Sequence, residues 1–239
     1  GDEVLVPGLT WVACASAVVA IGAVPILVDL DPDTLCMSPD AARAAISDRT
    51  AAILLVHLYC TVADIDSFVA ISNETGIPVV EDCSQVHGAI WKDKRVGTFG
   101  RVGVFSFQQS KVLTSGEGGA AITEDPDLYF RMQQLRADGR QYVDSTPDIG
   151  DMELQEVGDV QGYNYCMSEF QAAILLDRID HLDEENERRE DNANYLRSLL
   201  SQHAGFTPLK RSKGVGRLTY YHFCLRLDRD FVGEQKVLR

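Results

Sequence analysis

From its first residues to about Thr123 the chain alternates strand-length apolar runs with helix-length stretches, and this order constrains the fold more than any other feature. The runs at 4–6, 24–30, 52–58, 77–80 and 102–107 are short, rich in Val, Ile and Leu, and read as strands. Between them, 12–21, 39–46 and 65–75 have the character of helices. Such alternation predicts an α/β fold with a mostly parallel sheet covered by helices on both faces. In that architecture ligands sit at the carboxyl ends of the strands, so the residues just past each strand carry the functional information.

Two helix starts have local chemistry behind them. Ser38-Pro39 offers an N-cap followed by proline at the first helical position, where its missing N–H costs nothing. Ser168-Glu169-Phe170-Gln171 fits a capping box opening a long helix, with Phe170, Ile174, Ile179 and Leu182 along one apolar side. The densely charged run 177–192 reads as a solvated face, with Glu184/Arg188 and Glu185/Arg189 spaced for ion pairs. Residues 139–158 are polar, contain Pro147 and Gly150, and are expected to be a loop of the functional or mobile kind. Further on, 210–217 reads as a flexible basic loop and 220–227 as a strand.

Charge and cysteine usage narrow the function classes. Twenty-two basic against 36 acidic residues give a net charge of -14, which repels nucleic acid and anionic membranes. No apolar run reaches membrane-spanning length, and Gly1-Asp2-Glu3 does not open a signal peptide. The six cysteines stand far apart without a CxxC pair, so buried free thiols in a cytoplasmic protein are expected, with no metal site. His57, inside an apolar run, reads as a core histidine, whereas His87 is expected to line the site.

Two strand ends carry candidate chemistry. Glu81-Asp82 places paired carboxylates at the end of 77–80, where Asp82 is either a cap or an acid aimed at a ligand. A magnesium role fails for want of a GxxxxGK[ST] loop, and Gly97, Gly100 and Gly103 are not spaced as GxGxxG. Neither HExxH nor GxSxG occurs. Lys111 follows 102–107 across a polar run and precedes Gly116, Gly118 and Gly119, a backbone that can approach a ligand closely. A desolvated amine there could hold an aldehyde. A lysine and a carboxylate on neighbouring strand ends suit pyridoxal phosphate, with Trp11 as a flat wall, Gln85 as donor to the phenolic oxygen and Ser106 for the phosphate.

At this point a family resemblance enters. Trp11-Val12-Ala13, Glu81-Asp82-Cys83-Ser84-Gln85-Val86-His87-Gly88-Ala89, Ser106-Phe107-Gln108-Gln109-Ser110-Lys111, Gly116-Glu117-Gly118-Gly119 and Gly162-Tyr163-Asn164-Tyr165-Cys166-Met167-Ser168-Glu169 resemble the DegT/DnrJ/EryC1/StrS aminotransferases across nearly the whole chain. The resemblance implies a fold-type I pyridoxal-phosphate transferase fold, an αβα sandwich, and a homodimer with shared sites. It makes Lys111 the cofactor-holding lysine, Asp82 the partner of the pyridine nitrogen, and Asn164 a residue reaching the phosphate of the neighbouring subunit's cofactor. Sugar dehydratases of the group carry histidine where Lys111 stands, so the lysine argues for amino transfer.

A finer resemblance, in Leu135-Arg136-Ala137-Asp138-Gly139-Arg140 and the segments around Lys111 and Asn164, is to members that aminate ketocyclitols such as scyllo-inosose or 2-deoxy-scyllo-inosose with L-glutamine, in aminocyclitol antibiotic biosynthesis. A nucleotide-diphosphate keto-sugar aminotransferase and a non-catalytic protein keeping the fold are the alternatives. Cys166, where many sugar enzymes have arginine, fits the cyclitol subgroup, and Cys60 departs from the family's glycine. Family members start upstream and continue further, so an internal fragment is expected: a large cofactor-binding domain at 1–166, a long helix at 167–202 and the start of a small domain at 203–239.

Overall fold

The computed structural model describes residues 1–143, 148–158 and 160–227. In chain order the first elements are β1 (Glu3–Pro7), α1 (Ala13–Ala20), β2 (Val24–Val28), α2 (Pro39–Ala45), β3 (Thr50–Val56), α3 (Ile65–Thr75) and β4 (Val79–Asp82). A short hairpin, β5 (Ile90–Trp91) and β6 (Lys94–Arg95), precedes β7 (Val102–Ser106) and β8 (Gly119–Ile122). The main sheet runs β2-β1-β3-β4-β7-β8. Its first five strands are parallel and β8 is antiparallel to β7. Every strand and helix expected from the alternation is present, and β2 and β3 flank β1 on opposite sides.

Burial explains the pattern. All five residues of β1 are buried, as a central parallel strand covered on both faces requires, so it shows no alternation. Leu5, Val6, Val28, Ile53, Leu55, Phe68 and Ile71 join in one core between sheet and helices. A second cluster forms around Trp91, Val62, Ile65, Cys83 and Leu218. Ser38 Oγ accepts the Ala41 N–H at 3.3 Å with Pro39 in the first turn.

The later part is α4 (Pro126–Arg136), β9 (Arg140–Tyr142), β10 (Leu154–Glu156), α5 (Glu169–Leu200), β11 (Phe206–Pro208), β12 (Val215–Arg217) and β13 (Leu225–Leu227). Residues 139–158 are therefore not a loop throughout: β9 and β10 pair as a hairpin, each too short to show a period, while Pro147 falls outside the described residues. The expected loop at 210–217 contains β12, which pairs with β5, and the expected strand at 220–227 shortens to β13, paired with β11.

The capping box of α5 is present, with Gln171 N–H on Ser168 Oγ and Ser168 N–H on Gln171 Oε1. Its charged run is only partly solvated. Asn186 is fully buried and donates to the His87 carbonyl at 2.9 Å. Asp183 receives Arg95 at 2.7 Å and also Arg217, and these guanidiniums hold its carboxyl near pH 2. Glu185 pairs with Arg189 at 2.8 Å, whereas no ion pair joins Glu184 to Arg188 among the described residues. The apolar side of the first turns faces outward, with Phe170 85% exposed.

All six cysteines are free; Cys166 is exposed and Cys224 half-buried, so only Cys14, Cys36, Cys60 and Cys83 match the expected burial. Cys60 lies against Cys224, whose hydrogen bond pulls the Cys60 thiol down to about 7. No helix among the described residues is long and apolar enough to cross a membrane.

Candidate functional site

The carboxyl ends of β1, β3, β4 and β7 open onto a cavity of about 520 Å³. Trp11, Asp82, Gln85, Ser106 and Lys111 all line it. Asn164 does not; it is exposed, and its backbone bridges Ala137 in antiparallel sense. His87 does not line it either. Its ring is buried beside Phe105 and Phe107, with Nε2 donating to the Ser106 carbonyl at 2.9 Å, and burial pushes its pKa down to about 4.

Strand alternation sorts the two carboxylates at the end of β4. Glu81 turns inward, where its oxygens accept the N–H groups of Gly97 at 3.0 Å, Phe99 at 2.7 Å and Gly100 at 2.6 Å. His57 Nε2 adds a fourth donor at 3.2 Å while Nδ1 accepts from Ala63 N–H. Burial pushes the Glu81 carboxyl up, but His57 and the amides of Gly100 and Gly97 outweigh it and leave the pKa below its usual value. His57, Glu81 and Cys83 come within 4.8 Å of one another, yet both ring nitrogens and both carboxylate oxygens are already engaged, so the histidine is a core residue as its setting suggested. The glycines let this loop close on β4 and β7: a Cβ on Gly100 would stand 2.6 Å from the Val79 carbonyl oxygen, and one on Gly103, in β7, 2.1 Å from that of Gly97.

Asp82 points the other way, into the cavity. Its Oδ1 accepts the Ser84 N–H at 2.9 Å and its Oδ2 the Cys14 S–H at 3.3 Å. It therefore caps its own turn and faces the cavity at once. Gln85 Oε1 accepts the Tyr59 N–H at 2.5 Å, and the amide nitrogen, which has no hydrogen-bond partner among the described residues, can donate into the cavity. Ser106 Oγ accepts from Gln108 N–H at 3.3 Å and keeps its own hydrogen.

Lys111 follows a tight turn in which its N–H bonds the Gln108 carbonyl at 2.9 Å. Its Nζ lies 4.8 Å from the centre of the Tyr221 ring and makes no ion pair among the described residues. The glycines after it do not approach the cavity. A Cβ on Gly119 would meet the Phe105 carbonyl oxygen at 2.9 Å across the β7–β8 pair, one on Gly118 would meet the Met167 side chain ahead of α5 at 3.0 Å, and only Glu117 between them lines the cavity.

Cys14, Tyr59, Tyr221 and His222 line the cavity without having been singled out. Tyr221 OH bonds Ser110 Oγ at 2.9 Å, and the His222 ring packs 5.8 Å from that of Tyr59. The cavity thus gathers an amine, a carboxylate, an amide donor, a hydroxyl and an indole face, a set that can hold a flat polar ring bearing an aldehyde and an anionic group.

Comparison with known proteins follows the same lines. The model of the DegT/DnrJ/EryC1/StrS aminotransferase family matches residues 1–239. L-glutamine:2-deoxy-scyllo-inosose aminotransferase of Micromonospora echinospora is 52% identical over 239 residues, 100% of this chain and 57% of that protein. The protein of the same name from Streptomyces kanamyceticus is 53% identical over 227 residues, 95% of this chain and 53% of its own length. The chain thus spans little more than half of these relatives. Among solved structures, DesV of S. venezuelae in complex with a ketimine intermediate superposes with a TM-score of 0.84 at 35% identity, covering 97% of this chain and 59% of its own. With the family pattern running from Gly1 to Arg239 over an α/β sheet of matching architecture, the chain belongs to the DegT/DnrJ/EryC1/StrS aminotransferase family.

Proposed function

We propose that this protein is a pyridoxal-phosphate-dependent aminotransferase that moves an amino group from L-glutamine to a ketocyclitol of the 2-deoxy-scyllo-inosose or scyllo-inosose type, in aminocyclitol antibiotic biosynthesis. The observation that carries the reading is the convergence of Lys111, Asp82, Gln85, Ser106 and Trp11 on one cavity at the strand ends. The ketocyclitol follows from relatives named for 2-deoxy-scyllo-inosose at 52% and 53% identity and for scyllo-inosose, in Streptomyces griseus, at 49%.

The residues fit the cofactor. The Tyr59 N–H on Gln85 Oε1 fixes which end of the amide is the oxygen, and the NH2 end has donors to offer an anionic phenolic oxygen. Ser106 retains a hydroxyl hydrogen for a phosphate oxygen, Trp11 supplies a flat wall, and Asp82 is a carboxylate held at both oxygens, which suits a protonated ring nitrogen. When bound, pyridoxal phosphate supplies an electron sink for the substrate's breaking C–H bond. Lys111 Nζ holds the aldehyde between turnovers, takes the proton from the donor's α-carbon, and returns a proton to the ring carbon of the acceptor that gains the amine. The Tyr221 ring lies 4.8 Å from Nζ and packs over that amine.

We place the enzyme in the cytoplasm as a homodimer. The exposed Trp11, Val12, Val19 and Ile21 in and beside α1, and Tyr163, Tyr165 and Phe170 close in sequence to Asn164, favour a second copy packed there, with Asn164 reaching the partner's cofactor phosphate. Offering the full-length enzyme each ketone with L-glutamine or L-glutamate tests the reading. Turnover of 2-deoxy-scyllo-inosose or scyllo-inosose without any nucleotide is expected; turnover only of nucleotide-linked keto sugars would replace it with a sugar aminotransferase.

A further inference from the structure

Cys14 sits in the first turn of α1, 68 residues in sequence from the carboxylate it touches. The residue is 5% exposed, and its sulfur lies 3.3 Å from Asp82 Oδ2 and 3.2 Å from Thr10 Oγ1. Burial, with the negative charge of Asp82, pushes its pKa up to about 11, so the sulfur keeps its hydrogen at neutral pH. A protonated thiol facing a carboxylate can only donate to it, which leaves the Thr10 hydroxyl to donate to the sulfur. The Asp82 side chain is then held from both sides, Oδ1 by the Ser84 N–H and Oδ2 by the thiol, which opposes turning of its plane.

We propose that Cys14 is a positioning residue for the cofactor: its S–H holds Asp82 Oδ2 so that the carboxylate presents its remaining lone pairs to the cofactor's ring nitrogen. The inference rests on the pyridoxal-phosphate reading of the cavity. A thiol suits the place. It is long enough to bridge from the helix to the strand end, and as a weak donor it orients the carboxylate while leaving most of its negative charge for the cation in the cavity. Its side chain acts through Asp82; its backbone N–H also donates to the Trp11 carbonyl at 3.1 Å, a bond that substitution of the side chain leaves in place.

The test is the dissociation constant of pyridoxal phosphate for the full-length protein and for its Cys14→Ser, Cys14→Ala and Cys14→Val variants, each first checked for an intact thermal transition without cofactor. Serine keeps a donor and loses volume; valine keeps volume and loses the donor. Cys14→Ser is expected to bind within about threefold of the parent, and Cys14→Ala and Cys14→Val both about tenfold more weakly, in line with a lost hydrogen bond to a charged group. Valine binding like the parent, or serine binding as poorly as alanine, overturns the inference and leaves the cofactor reading standing. Absence of saturable binding by the parent protein overturns both.

Discussion

At the residue scale the most informative group outside the cavity is His87. Burial holds its ring neutral down to about pH 4, whereas the unfolded chain takes up the proton near 6.5. In that interval the unfolded state binds more protons, so stability is complete above about 6.5 and falls as the pH drops toward 4. The loss is on the order of 3 kcal/mol at about 1.4 kcal/mol per unit. His87→Gln, which keeps a donor for the Ser106 carbonyl and removes the titration, is expected to flatten the curve of urea stability against pH over that range. A wild-type slope persisting in the variant would assign it to another group. Glu81 makes a sterner case. Glu81→Ala would orphan three amides and the His57 Nε2 hydrogen inside the protein, so a loss of more than about 3 kcal/mol is expected in chemical denaturation. A loss below about 1 kcal/mol would mean the loop finds other partners.

At the element scale, what could be read ahead was what has a local cause. The central strands, the caps at Ser38 and Ser168, and five cavity residues, each just past or at a strand end, were legible because their signals lie within a few residues of one another. Ser168→Ala is expected to remove about 1 kcal/mol of stability, read from the urea midpoint, since the cap satisfies the first amides of α5. An unchanged midpoint would show that tertiary packing, not the cap, holds that end. What escaped reading has a distant cause. The Cys14 contact with Asp82 spans 68 residues and that of Tyr221 with Ser110 spans 111, and neither leaves a pattern in its own segment. The β9–β10 hairpin was missed because three-residue strands have no measurable period. The glycines after Lys111 misled in a different way: a glycine signals close approach without saying to what, and here the neighbours are Phe105 and Met167.

At the scale of the whole molecule, a parallel sheet brings the ends of β1, β3, β4 and β7 to one edge, and the cavity chemistry is the sum of what each strand end carries there. On the proposed function, Lys111 is the group that holds the aldehyde of pyridoxal phosphate. The most direct measurement mixes the full-length protein with pyridoxal phosphate, reduces with borohydride and maps the labelled peptides by mass spectrometry. Label on Lys111 alone is expected, and none in Lys111→Ala. Label spread over exposed lysines such as Lys92 and Lys210, with Lys111 unmodified, would contradict it.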